Sequence, residues 1–126
     1  MTNLSHDDVL QLAHDTELPQ IRAGHSHAFN DIWIVVADGR LFCRQYDLSE
    51  HSWYTSFLDD PAGAVQFGET IVEVRGVVPA DLNEINAAVN QAYLDKYDGN
   101  TDYPTIAREM TGQRFMARTM ELVPEV

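Results

Sequence analysis

Residues Ile32–Tyr54 read IWIVVADGRLFCRQYDLSEHSWY. Two apolar runs flank Asp38-Gly39, the preferred residue pair for a two-residue type I′ turn, in which both central residues need positive φ. That turn fixes a register: Ala37 lies opposite Arg40, Val35 opposite Phe42, and Trp33 opposite Arg44. Opposed residues share a sheet face. One face therefore carries Ile34, Val36, Leu41 and Cys43, all compact and apolar, as a tight barrel interior or an inner sheet face requires. The other carries Trp33, Val35, Ala37, Arg40, Phe42, Arg44 and Tyr46, a mixed aromatic and cationic surface suited to a helix, a subunit partner or a ligand.

Outward from the hairpin, the pattern keeps alternating between strands and short helices. Ser5 with Asp7 and Asp8 behind it caps a first helix whose stripe is Val9, Leu10, Leu12 and Ala13. Pro19 and Gly24 bracket a strand at Gln20 to Ala23. Ser52 is placed to cap a helix through Trp53, Tyr54, Phe57 and Leu58, ended by Asp60-Pro61. Strands follow at Ala64 to Phe67 and Thr70 to Val78, joined by a turn at Gly68-Glu69. The second directs Val72, Val74, Gly76 and Val78 to one side and Ile71, Glu73, Arg75 and Val77 to the other. Leu82 to Tyr97 is the longest helical pattern, with Asp81 and Glu84 at capping-box spacing and Asp98-Gly99 as its stop. A shorter helix opens at Pro104 and closes at Gly112, and the tail from Arg114 to Val123 returns as a final strand. Residues 1–126 thus read as a single α+β domain with an antiparallel sheet.

Composition narrows the function classes. Twenty acidic against eight basic residues give a net charge of −12, with Lys96 the one lysine. Nucleic acids and anionic membranes are held mainly by Lys and Arg on phosphate, so neither is an expected partner. Cys43 is the sole cysteine, which excludes an intrachain disulfide, and its apolar strand setting reads as a buried, inert thiol. The start, MTNLSHDD, lacks a positive leader region, and the six-residue run Ile32–Ala37 is too short to cross a bilayer. A cytoplasmic location is the expectation.

No residue pattern compels a catalytic reading. His25-Ser-His27 puts two imidazoles on one side of a strand, with Asp31 or His51 able to join them, but a metal needs converging ligands and a solvated loop is the favoured reading, so no metal is expected. There is no Gly-x-Ser-x-Gly elbow, no Gly-x-Gly-x-x-Gly and no P-loop. Asp7-Asp8 and Asp59-Asp60 read as helix-end charges. Arg40 and Arg44 remain: two guanidinium groups beside Trp33, Phe42 and Tyr46 can clamp a phosphate next to a flat ring, or can snorkel over a covered sheet face.

The order of short motifs adds a resemblance: Trp-Ile-Val-Val, Asp-Gly, Leu-Phe-x-Arg, Ser-Trp-Tyr, a Val-rich strand, Ala-Tyr-Leu-Asp-Lys-Tyr, and Thr119-x-x-Leu122-x-Pro124. Over about residues 30 to 124 the chain resembles an uncharacterised bacterial family of the pyridoxamine-phosphate-oxidase-like, FMN-binding split-barrel superfamily, and more distantly the deazaflavin-dependent nitroreductases. The resemblance implies a six-stranded antiparallel split β-barrel with flanking helices, a homodimer, and in active members a flavin-type cofactor at the subunit interface. By position, Arg44 matches the Val-Arg-Ser strand end, Ser52, Trp53 and Tyr54 match the Ser-Trp-Tyr helix start, and Tyr93, Lys96 and Tyr97 match the Ala-Tyr-x-x-Lys-Tyr helix end. The chain departs from the pattern at Gln45, where the family has Ser, and at Tyr46-Asp47-Leu48, which lacks the expected glycine. The Gly-Arg-Lys-Ser-Gly phosphate loop of the deazaflavin enzymes is replaced by His25-Ser-His27-Ala28-Phe29. The expectation is a cofactor-free or small-molecule-binding module. The alternative is an oxidoreductase using FMN or a deazaflavin, with Arg40 and Arg44 on its phosphate, Ser52 beside them, and Trp53 or Tyr54 along the ring.

Overall fold

Asp38 and Gly39 adopt φ of 53° and 68°, so the type I′ turn forms. Its register is the expected one, Ala37 with Arg40, Val36 with Leu41, Val35 with Phe42 and Ile34 with Cys43. The computed structural model describes residues 4–24, 28–44, 53–97 and 109–125, apart from the side chain of Arg114. The strands are β1 (Gln20–Ala23), β2 (Asn30–Asp31), β3 (Ile34–Ala37), β4 (Arg40–Arg44), β5 (Ala62–Phe67), β6 (Thr70–Val77) and β7 (Thr119–Pro124). They build one antiparallel sheet of seven strands in the order β2-β1-β5-β6-β7-β4-β3. The α+β class stands; the count is seven and not six.

The extra strand has a specific origin. Residues 30–37 look like one extended run, but the chain breaks at Ile32-Trp33, and its two halves pair at opposite ends of the sheet. Asp31 and Ile34 are three residues apart, so the two ends of the sheet lie within about 10 Å of each other. A sheet whose first and last strands are so tethered must curl, and the result is an open half-barrel. The break is held by Tyr93. Its hydroxyl accepts from the Arg44 amide at 2.9 Å and donates to the Trp33 carbonyl at 2.6 Å, between the residues that the hairpin register would pair next.

The concave face of the sheet holds Ile21, Ala23, Ile34, Leu41, Cys43, Val65, Phe67, Val72, Val74, Met120 and Leu122, all buried. Two helices close it. α1 (His6–Asp15) starts with a capping box in which Ser5 and Asp8 bond each other's backbone amides, and it buries Val9 and Ala13. α2 (Trp53–Asp59) buries Tyr54 and Phe57. Phe57 lies against Gly63 and Gly76, where an added Cβ would meet its ring at 2.6 Å. Ser52, the expected cap of α2, lies outside the described residues, as do Tyr46, His25, His27 and His51 and most of the helix expected from Pro104.

α3 (Leu82–Tyr97) covers the convex face at β3 and β4, where Ile85, Val89, Tyr93 and Tyr97 join Val35, Ala37, Phe42 and Met110 in a second core. The aromatic and cationic face of the hairpin is thereby occupied by the chain's own helix. Asp81, expected to cap α3, gives its carboxylate to Arg40 at 2.9 and 3.0 Å. The final strand begins at Thr119 and not Arg114, because a short helical turn, α4 (Gln113–Met116), precedes it.

Candidate functional site

Arg44 ends β4 and is fully buried. Its Nε donates to Thr119 Oγ1 at 2.8 Å, one terminal nitrogen donates to Asn90 Oδ1 and to the Met110 carbonyl at 2.7 Å, and the other donates to Asn86 Oδ1 at 3.1 Å. All of these acceptors are neutral, and burial lowers the arginine's pKa. The guanidinium therefore ties β4, β7 and α3 together from inside. Arg40, on the same face, is paired with Asp81 and Glu121, at 2.9 and 2.8 Å, and lies over the Phe42 ring. These ion pairs raise the Arg40 pKa and lower that of Asp81.

Trp53 and Tyr54 pack with the concave core, on the other side of the sheet from the two arginines. The sequence-selected residues that the structure describes thus divide between two sheet faces and do not line one surface. A flavin phosphate on Arg44 would have to displace the bonds that hold α3 to the sheet, so these residues do not fit that cofactor as they stand. Cys43 faces the concave core, and burial pushes its thiol pKa well up. Among the described residues, no three His, Cys, Asp or Glu side chains gather as a metal site, and no helix is long and apolar enough to cross a membrane.

A different place has the shape of a site. β3 is the last strand of the sheet, and its free edge faces a groove of about 400 Å³ lined by residues of α1, β3 and α3. The walls are apolar at Val35, Val36, Ala37, Ala88 and Ala92, and polar at His14, Asp38, Gln91, Asp95 and Lys96. In the hairpin, Ala37 and Val35 exchange ladder bonds with β4, so the Val36 N–H and C=O turn outward to the free edge. α1 is fastened along this edge at both ends. His6 Nε2 is 2.9 Å from the Gly39 carbonyl oxygen, and Lys96 Nζ donates to Ala13 O at 2.7 Å and to Ile34 O at 2.6 Å.

Lys96 therefore meets a helix C-terminus and the edge of a strand with one ammonium group, which satisfies two carbonyls and shields the start of the edge. Burial brings its pKa down to about 8, the Glu17 carboxylate opposing the shift. Because the folded value lies below that of the unfolded chain, about 10.4, the unfolded chain holds more proton between those pH values. Stability from this group rises with pH across that window, and below it the cost of burying the charge is fully present. Protein labelled with ¹³C-lysine is expected to give one Cε resonance titrating near pH 8; a midpoint in the ordinary lysine range would refute this environment.

The sequence marks Lys96 as the one lysine and, by resemblance, as part of the Ala-Tyr-x-x-Lys-Tyr helix end, without assigning it a role. Its signal was a lone lysine at an apolar helical position. Asn86 and Asn90 went unnoticed, although two amides one helical turn apart beside Ile85 and Val89 mark a polar contact inside a packed face. No curated protein matches the chain. A family model described as an uncharacterised protein conserved in bacteria (DUF2255) matches residues 6–122, nearly the whole length, and the chain belongs to that family.

Proposed function

We propose that this protein is a small-molecule-binding module that holds its ligand in the groove between α1, the edge of β3 and α3. The observation that carries the reading is the groove itself: its size falls in the range of small-ligand sites, and it combines an apolar wall with a few polar groups. The ligand class follows from charge. Lys96 is engaged by two carbonyls, whereas Asp38 and Asp95 are exposed at the rim, in a chain of net charge −12. Such a rim favours a compact ligand with an amine or other cationic end and an apolar body, its polar atoms meeting the outward N–H and C=O of Val36.

The curled antiparallel half-barrel is compatible with the split-barrel superfamily, and we place the chain there as part of the same proposal. The flavin alternative draws its support from sequence resemblance, and the internal bonding of Arg44 weighs against it.

The test is an amide-correlation NMR titration of the full chain with small amines of graded length, with carboxylate analogues as controls. Shifts confined to residues lining the groove are expected for the amines, with Asp95→Asn weakening binding about tenfold and Ala88→Trp abolishing it. Amines that leave the groove unshifted at millimolar concentration would dismiss the proposal. Quenching of riboflavin phosphate or deazaflavin fluorescence at micromolar protein would favour the oxidoreductase instead.

A further inference from the structure

The convex face that α3 leaves uncovered is formed by β5, β6 and β7. On it, β6 displays Ile71, Glu73, Arg75 and Val77 in alternation, with Val123 of β7 opposite Arg75. Ile71 is 52% exposed and Val123 39%, and both charged residues are exposed as well. Among the described residues, neither Glu73 nor Arg75 has an ion pair.

The order apolar, acid, base, apolar is complementary to its own reversed copy. Place two such faces together about a two-fold axis that crosses the strands at the level of Val74. Ile71 then meets Val77 of the second copy, Glu73 meets Arg75, Arg75 meets Glu73, and Val77 meets Ile71. Like charges never oppose each other, and the exposed Ile71 and half-buried Val77 are covered. The small side chain of Ala62 on the neighbouring strand β5, opposite Arg75, leaves room for close approach of the sheets. An isologous contact of this kind requires a self-complementary patch, and this pattern supplies one.

We infer that the convex face of β6 is an interface for a second copy of this chain, joined by two reciprocal Glu73–Arg75 pairs. The surface is separate from the groove, so the inference stands or falls independently of the ligand proposal.

Sedimentation equilibrium of the full chain, with circular dichroism to verify folding, tests it by charge exchange. The wild type is expected to be a dimer. Glu73→Arg and Arg75→Glu should each loosen it about tenfold or more, because each places like charges opposite one another. The double exchange E73R/R75E restores complementarity and should recover the wild-type constant. Ile71→Arg should loosen the dimer as well, while Leu58→Arg, at an equally exposed residue on α2, should leave it unchanged. A wild-type monomer at about 1 mM chain overturns the inference. So does a dimer indifferent to the single exchanges, or one that the double exchange fails to recover.

Discussion

Arg44→Met is expected to destabilise the protein by about 3 kcal/mol, since it leaves several buried acceptors without a donor. Thr119 Oγ1, Asn86 Oδ1, Asn90 Oδ1 and the Met110 carbonyl all accept from this one side chain. Methionine fills much of the volume and spares the cost of burying a charge, which keeps the figure below that of a broken buried ion pair. Arg44→Lys should recover only part of the loss, because an ammonium carries three donors at one point and cannot span acceptors on β7 and α3 together. Thermal unfolding followed by tryptophan fluorescence measures both variants, and a fall in midpoint temperature of about 10 °C is expected for Arg44→Met. An unchanged midpoint would mean that Arg44 is not the internal tie described, and would return it to the pool of ligand-binding candidates.

Gly63→Ala and Gly76→Ala are each expected to cost about 2–3 kcal/mol by overpacking. The cause is steric and not conformational, and the two sites differ in what resists the new methyl group. At Gly76 the close neighbours are atoms of the Phe57 ring, the nearest at 2.6 Å. At Gly63 the Cβ meets the same ring and also the Arg22 carbonyl oxygen at 2.5 Å, which belongs to a neighbouring strand of the sheet. Phe57→Leu should therefore relieve Gly76→Ala far more than Gly63→Ala. A double-mutant cycle for each pair reads this as a coupling of about 1 kcal/mol or more for Gly76 and a smaller one for Gly63. Equal couplings would show that the sheet backbone yields at Gly63 as easily as an aromatic ring does at Gly76.

Local signals carried most of the fold. The Asp38-Gly39 turn set the hairpin register, and the two faces it implied appear as two separate cores. Ser5 and the limits of α3 followed from short-range chemistry in the same way. What the sequence concealed is non-local. The break at Ile32-Trp33 depends on a hydroxyl 60 residues downstream, so an unbroken apolar run gave no sign of it. Asp81 has the spacing of a cap but meets a stronger partner in Arg40, whose guanidinium arrives from a distant strand. The candidate site was the least legible part. Arginines and aromatics drew notice because those residue types so often bind ligands, whereas the groove arises where a strand edge meets two helices, a juxtaposition that no short motif encodes.

The neutral surroundings of Arg44 bear on how the fold responds to salt. A buried cation without a carboxylate partner among the described residues must find its compensation elsewhere. It finds it in dipoles, since the oxygens of Thr119, Asn86, Asn90 and Met110 all accept from the guanidinium. Buried bonds of this kind are screened by salt far less than surface ion pairs, so the tie between β4, β7 and α3 holds at ionic strengths that loosen the part-exposed Arg40 pairs.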